Sequence, residues 1–193
     1  MAVEAVRPAP QAAPTLVRQL TWWILVLPVA MVAALITHWF YLLNYTHVMA
    51  GAMWTGADLF LGFIFAPIMR RLAPEQRKAI IAWLVPRTLL YMPVVAATTG
   101  TAGWYLAEWL GYFSPGSPQH PWVLAALVVL TLLSVQGFVI MLPNNVRIWL
   151  ELKRPQPDLG KITRLNRINL SLAGFQGTFQ VAIILVMAHL ALG

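Results

Sequence analysis

Trp122-Val-Leu-Ala-Ala-Leu-Val-Val-Leu-Thr-Leu-Leu-Ser-Val-Gln-Gly-Phe-Val-Ile-Met-Leu-Pro-Asn-Asn-Val146 contains no charged side chain. A helix that crosses a bilayer needs about 20 mostly apolar residues, so this stretch reads as one span, 122–146. It is preceded by the break Phe113-Ser114-Pro115-Gly116-Ser117-Pro118 and followed by Arg147. On the other side of that break only Glu108 interrupts the uncharged run that begins at Thr88, which gives a second span, 88–110. Gln19 to Met69 holds one charge, Asp58, and is long enough for two spans, 20–40 and 46–69, with the turn inside Thr37–Thr46. Ile168 to Gly193 is uncharged and supplies the last, 168–191. The expectation is an all-α integral membrane bundle of five transmembrane helices. Residues 1–18, with Pro8, Pro10 and Pro14, read as a flexible cytoplasmic tail. Residues 19–193 read as a single transmembrane domain, with 147–167 a polar, Pro-broken connector.

Composition agrees. Charged residues make up 10% of the chain and apolar ones 60%, with a mean hydropathy of +0.71; soluble domains carry about 25% charged residues. Lipid offers no partner for a bare backbone, so helices are the solution for such a chain. With no cysteine there is neither a disulfide scaffold nor a thiol nucleophile. No phosphate-binding loop is present, and six acidic residues scattered along the chain supply no paired-carboxylate site. An oxidoreductase-type role is the only enzyme class left open, and the balance leans away from an enzyme.

All thirteen Lys and Arg residues fall in the N-terminal tail, between the second and third spans, or between the fourth and fifth. The other two connections have none. Positive loops stay cytoplasmic, so the N-terminus is expected inside and the C-terminus outside, in a bacterial inner membrane. The net charge of +7 then reflects contact with anionic lipid headgroups rather than nucleic acid.

Few polar groups lie within the spans, and such groups mark candidate sites. His47, Gly51, Trp54 and Asp58 follow offsets of 0, 4, 7 and 11, one face of a helix. One reading makes His47 a haem or metal ligand, with Trp54 and Asp58 lining the same cavity and Gly51 admitting a flat group. The other makes them an interfacial histidine, a packing glycine, a bundle tryptophan and a carboxyl bonded to Arg87 or a neighbouring helix. Met49 and Met53 flank the stripe as candidate soft metal ligands. In the third span Arg87, Tyr91, Thr98, Thr101, Tyr105 and Glu108 form a polar stripe expected to face the interior, as a cavity lining, a proton route or a hydrogen-bond seam. Gln136, the Asn144-Asn145 pair, Asn169, Gln176 and Gln180 suggest an interior polar network. His189 is a candidate second ligand. The aromatic residues from Trp39 to Tyr45 and from Trp104 to Trp122 suit an interfacial belt.

His47-Val-Met-Ala-Gly-Ala-Met-Trp54-Thr-Gly56 resembles the opening helix of CopD-like copper-resistance membrane proteins, and the His-to-Trp spacing is similar to that of HemJ-type protoporphyrinogen oxidases. The resemblance extends over about residues 44–192, through Pro67, Arg87, Thr98-Thr99-Gly100 and Arg164-Leu-Asn-Arg167, and leaves the first span as an addition. HemJ-like proteins carry an Arg beyond the Trp helix and an acidic residue with Pro after Arg-Leu-Asn. Here those places read Ala66-Pro67 and Arg167-Ile168-Asn169, departures that count against porphyrinogen oxidation and leave a haem on His47 open.

The resemblance implies a b-type haem on His47. Its alternative is copper handling through His47, Met49 and Met53. A third reading is an accessory subunit with no cofactor. The partners expected are the bilayer and either further copies of the chain or a larger membrane complex.

Overall fold

The computed structural model describes residues 16–192, of which Leu192 is placed by its backbone alone. The expected tail therefore lies almost wholly outside the described residues. Every regular element among them is helical. After a single turn, α1 (Leu16–Gln19), a 3-10 turn (Trp22–Leu25) leads into α2 (Val26–Ile36). A long helix follows, built from α3 (Phe40–Leu59), a π-helical turn (Phe60–Phe65) and α4 (Ala66–Arg71). Next come α5 (Pro74–Trp109), then α6 (His120–Val135) continued through a second π-helical turn (Gln136–Met141) into α7 (Leu142–Leu152), and finally α8 (Leu159–Leu192).

Four helices are long and apolar enough to cross a membrane: Phe40–Arg71, Pro74–Trp109, His120–Leu152 and Leu159–Ala191. The stretch expected as the first span forms the shorter apolar segment Trp22–Ile36. Its turn falls where the sequence placed it. His38 adopts a left-handed φ of 51°, and Trp39 N–H donates to the Ala34 carbonyl at 2.9 Å. That is the Schellman pattern that ends a helix.

The helices overrun the apolar stretches at the basic end. The connection expected between the second and third spans shrinks to Leu72-Ala73, and the expected connector 147–167 becomes the short loop 153–158. Arg and Lys are good helix formers. A hydropathy count stops at the first cluster of them, whereas the backbone pattern continues.

Both π-helical turns precede a proline by the same interval, Phe65-Ala66-Pro67 and Met141-Leu142-Pro143. Proline offers no N–H and its ring crowds the preceding turn. A wider turn just before it relieves that crowding. Pro86 and Pro93 sit inside α5, which runs on as α-helix.

α3 packs on α2, α5 and α8, while α6 and α7 close the bundle against α8 and α5. The core has three levels. Ala66, Met69, Ile81, Val85, Ile148, Ile162 and Leu165 pack together at the basic end. Ile24, Leu27, Ala50, Trp54, Val95 and Leu133 fill the middle. Ala34, Leu43, Ala102 and Leu106 pack at the other end. Around them the outer surface is apolar, with Val29, Ile36, Val128, Val139 and Leu185 all exposed. Water would penalise such a surface, and lipid does not.

Candidate functional site: a polar seam through the bundle

The inward face of α3 meets two different helices. Near its start, His47 Nδ1 lies 2.9 Å from the Thr99 carbonyl on α5. A carbonyl only accepts, so in the neutral ring Nδ1 carries the proton and Nε2 keeps its lone pair. Nε2 makes no hydrogen bond among the described residues. Gly103 clears space for the ring: a Cβ there would sit 2.7 Å from His47 Cε1. One turn on, a Cβ at Gly51 would meet Thr99 Cγ2 at 3.4 Å, so α3 and α5 are closely apposed at this level.

Deeper, the face turns to α8. Asp58 is fully buried, and its Oδ2 accepts a hydrogen bond from Gln180 Nε2 at 3.1 Å. Trp54, one turn earlier, and Tyr91 on α5 are its other polar neighbours. The Tyr91 hydroxyl is itself directed to the Met53 carbonyl at 3.2 Å. The approach of α3 to α8 depends on glycine. A Cβ on Gly62 would fall 2.2 Å from Gly174 Cα, and one on Gly177 would fall 2.8 Å from Leu59 Cδ2.

The seam continues along α8 toward the basic end. Gln176 Nε2 donates to the Leu133 carbonyl at 2.9 Å, and Gln136 Nε2 donates to the Leu172 carbonyl at 3.0 Å. Asn169 Nδ2 donates to Asn145 Oδ1 at 2.8 Å and to the Met141 carbonyl at 3.1 Å. Asn144 Nδ2 in turn donates to Asn169 Oδ1 at 3.0 Å. The carbonyls of Leu133 and Met141 bracket the second π-helical turn, so the amides of α8 clamp both of its ends. Beside them is a cavity of about 40 Å³ whose polar lining is Thr88, Ser134, Asn145 and Gln176, with Trp54 as one wall.

The expected site comes out differently in two respects. His47 and Asp58 do not share a cavity. Eleven residues of helix separate them by about 16 Å, one faces α5 and the other α8, and neither lines the cavity that Trp54 borders. The α5 stripe also divides. Tyr91 is half-buried and Thr98 buried, whereas Arg87, Thr101, Tyr105 and Glu108 are exposed. Glu108 lies at the C-terminal end of α5, and Arg87 lies thirteen residues past its start, donating to the Trp83 carbonyl at 2.7 Å. Thr98 and Thr101 border a groove of about 290 Å³ with Pro28, Met31 and Phe138, where no helix covers α5.

Met49 and Met53 pack into the middle cluster around Ile24 and Leu27. His189 stacks on Trp122 with ring centroids 4.0 Å apart, His38 packs against Trp109, and His120 faces the Tyr112 carbonyl. No group of three or more His, Asp or Glu side chains converges among the described residues. Of the four histidines, His47 is the one bonded to a neighbouring helix's backbone within the bundle, with one ring nitrogen oriented and the other without a hydrogen bond among the described residues.

Sequence reasoning missed Gly103, Ser134 and the Gly62–Gly174 crossing. The small residues at Gly174-x-x-Gly177 were the available signal for the crossing. Compared with protein families, curated proteins and solved structures, the chain matches none.

Proposed function

We propose that this chain is a redox-linked, multi-pass membrane protein, CopD/HemJ-like in kind, in which His47 is an axial ligand to a b-type haem. The observation that carries the proposal is the His47–Thr99 hydrogen bond. A ligating histidine characteristically donates its other ring N–H to a carbonyl or carboxylate, which fixes the tautomer and aims the free nitrogen. His47 has that arrangement, with Gly103 on α5 making room for its ring and Gly51 allowing α3 to pack closely on Thr99. A bound haem would supply one-electron exchange, its potential set by ligand and burial. The protein's role is to hold and orient the imidazole and to exclude water around it.

With basic loops cytoplasmic, His47 lies toward the external face of what is best read as a bacterial inner membrane. The bilayer is the principal partner, and the chain acts alone, as copies, or within a larger membrane complex.

The test is an absorption spectrum of the detergent-purified protein, oxidised and then reduced with dithionite. A Soret band with sharp reduced α and β bands is expected, and His47→Ala should abolish both. A featureless spectrum from protein purified with added haem would overturn the proposal. Copper found by elemental analysis and lost in His47→Ala would then favour copper handling. Neither signal, with co-purifying proteins, would favour an accessory subunit.

A further inference from the structure

Asp58 and Gln180 are joined by one hydrogen bond, from Gln180 Nε2 to Asp58 Oδ2. The two remaining oxygens of the same pair, Asp58 Oδ1 and Gln180 Oε1, are both buried and both without a hydrogen-bond partner. Both are acceptors. Neither can satisfy the other, and an unpaired buried polar atom is costly. A single proton on Oδ1 resolves both at once: the acid O–H donates to the amide carbonyl while the amide N–H donates to the acid carbonyl. Carboxylic acids and primary amides form this closed ring as a matter of ordinary hydrogen-bond geometry.

We propose that the Asp58–Gln180 pair is an exchangeable proton-binding site buried within the bundle between α3 and α8. The Trp54 indole N–H approaches the carboxyl but makes no geometrically satisfactory bond to Oδ1, and nothing reaches Gln180 Oε1. No Lys, Arg or His faces the carboxyl; the ion pairs among the described residues both belong to Glu151, at the basic end. From α5 the titratable group facing it is Tyr91, whose hydroxyl is directed to the Met53 carbonyl. From α3 it meets Trp54, and α8 contributes Gln180 alone. A hard metal cation takes about six oxygen ligands, and two orphaned oxygens fall well short of that.

A cavity that could hold water lies one residue layer from the pair. The cavity bordered by Trp54 and Gln176 reaches toward Thr88 and Asn145 on the basic side. Its volume of about 40 Å³ accommodates about three waters at 10–15 Å³ apiece. Asp58 and Gln180 do not line it; Trp54, four residues from Asp58, and Gln176, four from Gln180, stand between the cavity and the pair. This inference stands apart from the haem reading, because it involves neither His47 nor a cofactor.

Infrared spectroscopy of the full chain in lipid nanodiscs tests it. Among the described residues the other acids are exposed or, for Glu151, ion-paired, so Asp58 is the one acid buried without an ion-pair partner. A carboxylic-acid carbonyl band at neutral pH is therefore expected from Asp58. It should shift in D2O and disappear in Asp58→Asn. Gln180→Leu should keep the band but move it to higher frequency, since the acid loses its amide partner; this variant serves if Asp58→Asn does not fold. Absence of the band in the wild type, or its survival in Asp58→Asn, would overturn the proposal. So would a carboxylate signal that depends on Na+, which would indicate a metal cation instead. A band that never responds to D2O would mark a sealed structural proton and equally overturn an exchangeable site.

Discussion

At the scale of single residues the seam is governed by glycines as much as by polar groups. Gly62 meets Gly174 backbone to backbone, so Gly62→Ala has no flexible side chain to push aside and must force the helices apart. Overpacking of this kind costs about 1–3 kcal/mol, and thermal unfolding in detergent should show it as a clear loss of stability. Gly103→Ala meets an imidazole rather than backbone. It should leave stability nearly intact while displacing His47 from the Thr99 carbonyl, readable as a change in the ring's 15N chemical shifts. The stripe His47, Gly51, Trp54 and Asp58 was legible because helical spacing sets which residues share a face. That its two ends address different helices was not, since spacing carries no information about which neighbour lies opposite.

At the scale of elements, amide side chains on α8 tie down backbone carbonyls around the π-helical turn of the neighbouring helix. Gln176 and Asn169 hold the carbonyls of Leu133 and Met141, at either end of the Gln136–Met141 turn. Gln176→Leu should cost about 0.6 kcal/mol, the average for a single interhelical bond in a membrane, and at most about 1.7 kcal/mol, and hydrogen exchange should rise locally at that turn. The loop 153–158 has its own fastener. Buried Glu151 accepts from Lys161 Nζ at 2.7 Å, from Arg154 at 3.2 Å and from the Asp158 backbone N–H at 3.3 Å. Glu151→Ala removes all three, so trypsin should cleave after Lys153 markedly faster than in the wild type; the Arg154–Pro155 bond resists trypsin in either case. Uncharged runs revealed the helices in the sequence. Their basic extensions and the π-helical turns were hidden, because charge ends a hydropathy window without ending a helix.

At the scale of the whole molecule, the basic connections gather at one end of the bundle and the uncharged turns at the other. A reporter fused after Gly193 should read as external and one fused before Met1 as cytoplasmic; a cytoplasmic C-terminus would contradict the orientation inferred from charge. The membrane-helical class was legible from composition alone. The role of the first apolar segment was not, because fifteen uncharged residues and twenty look alike until the turn at His38 is placed. Trp22–Ile36 rises only about 22–25 Å, against a hydrocarbon layer of about 30 Å. The other four helices exceed that thickness. The molecule therefore has one thin flank and several thick ones, and acyl chains beside α2 must shorten or tilt to meet it. Mismatch of this kind costs a fraction of a kcal/mol per Å and sorts proteins among membranes. The bundle is in effect a wedge, drawn toward thinner lipid and able to turn its short side to it.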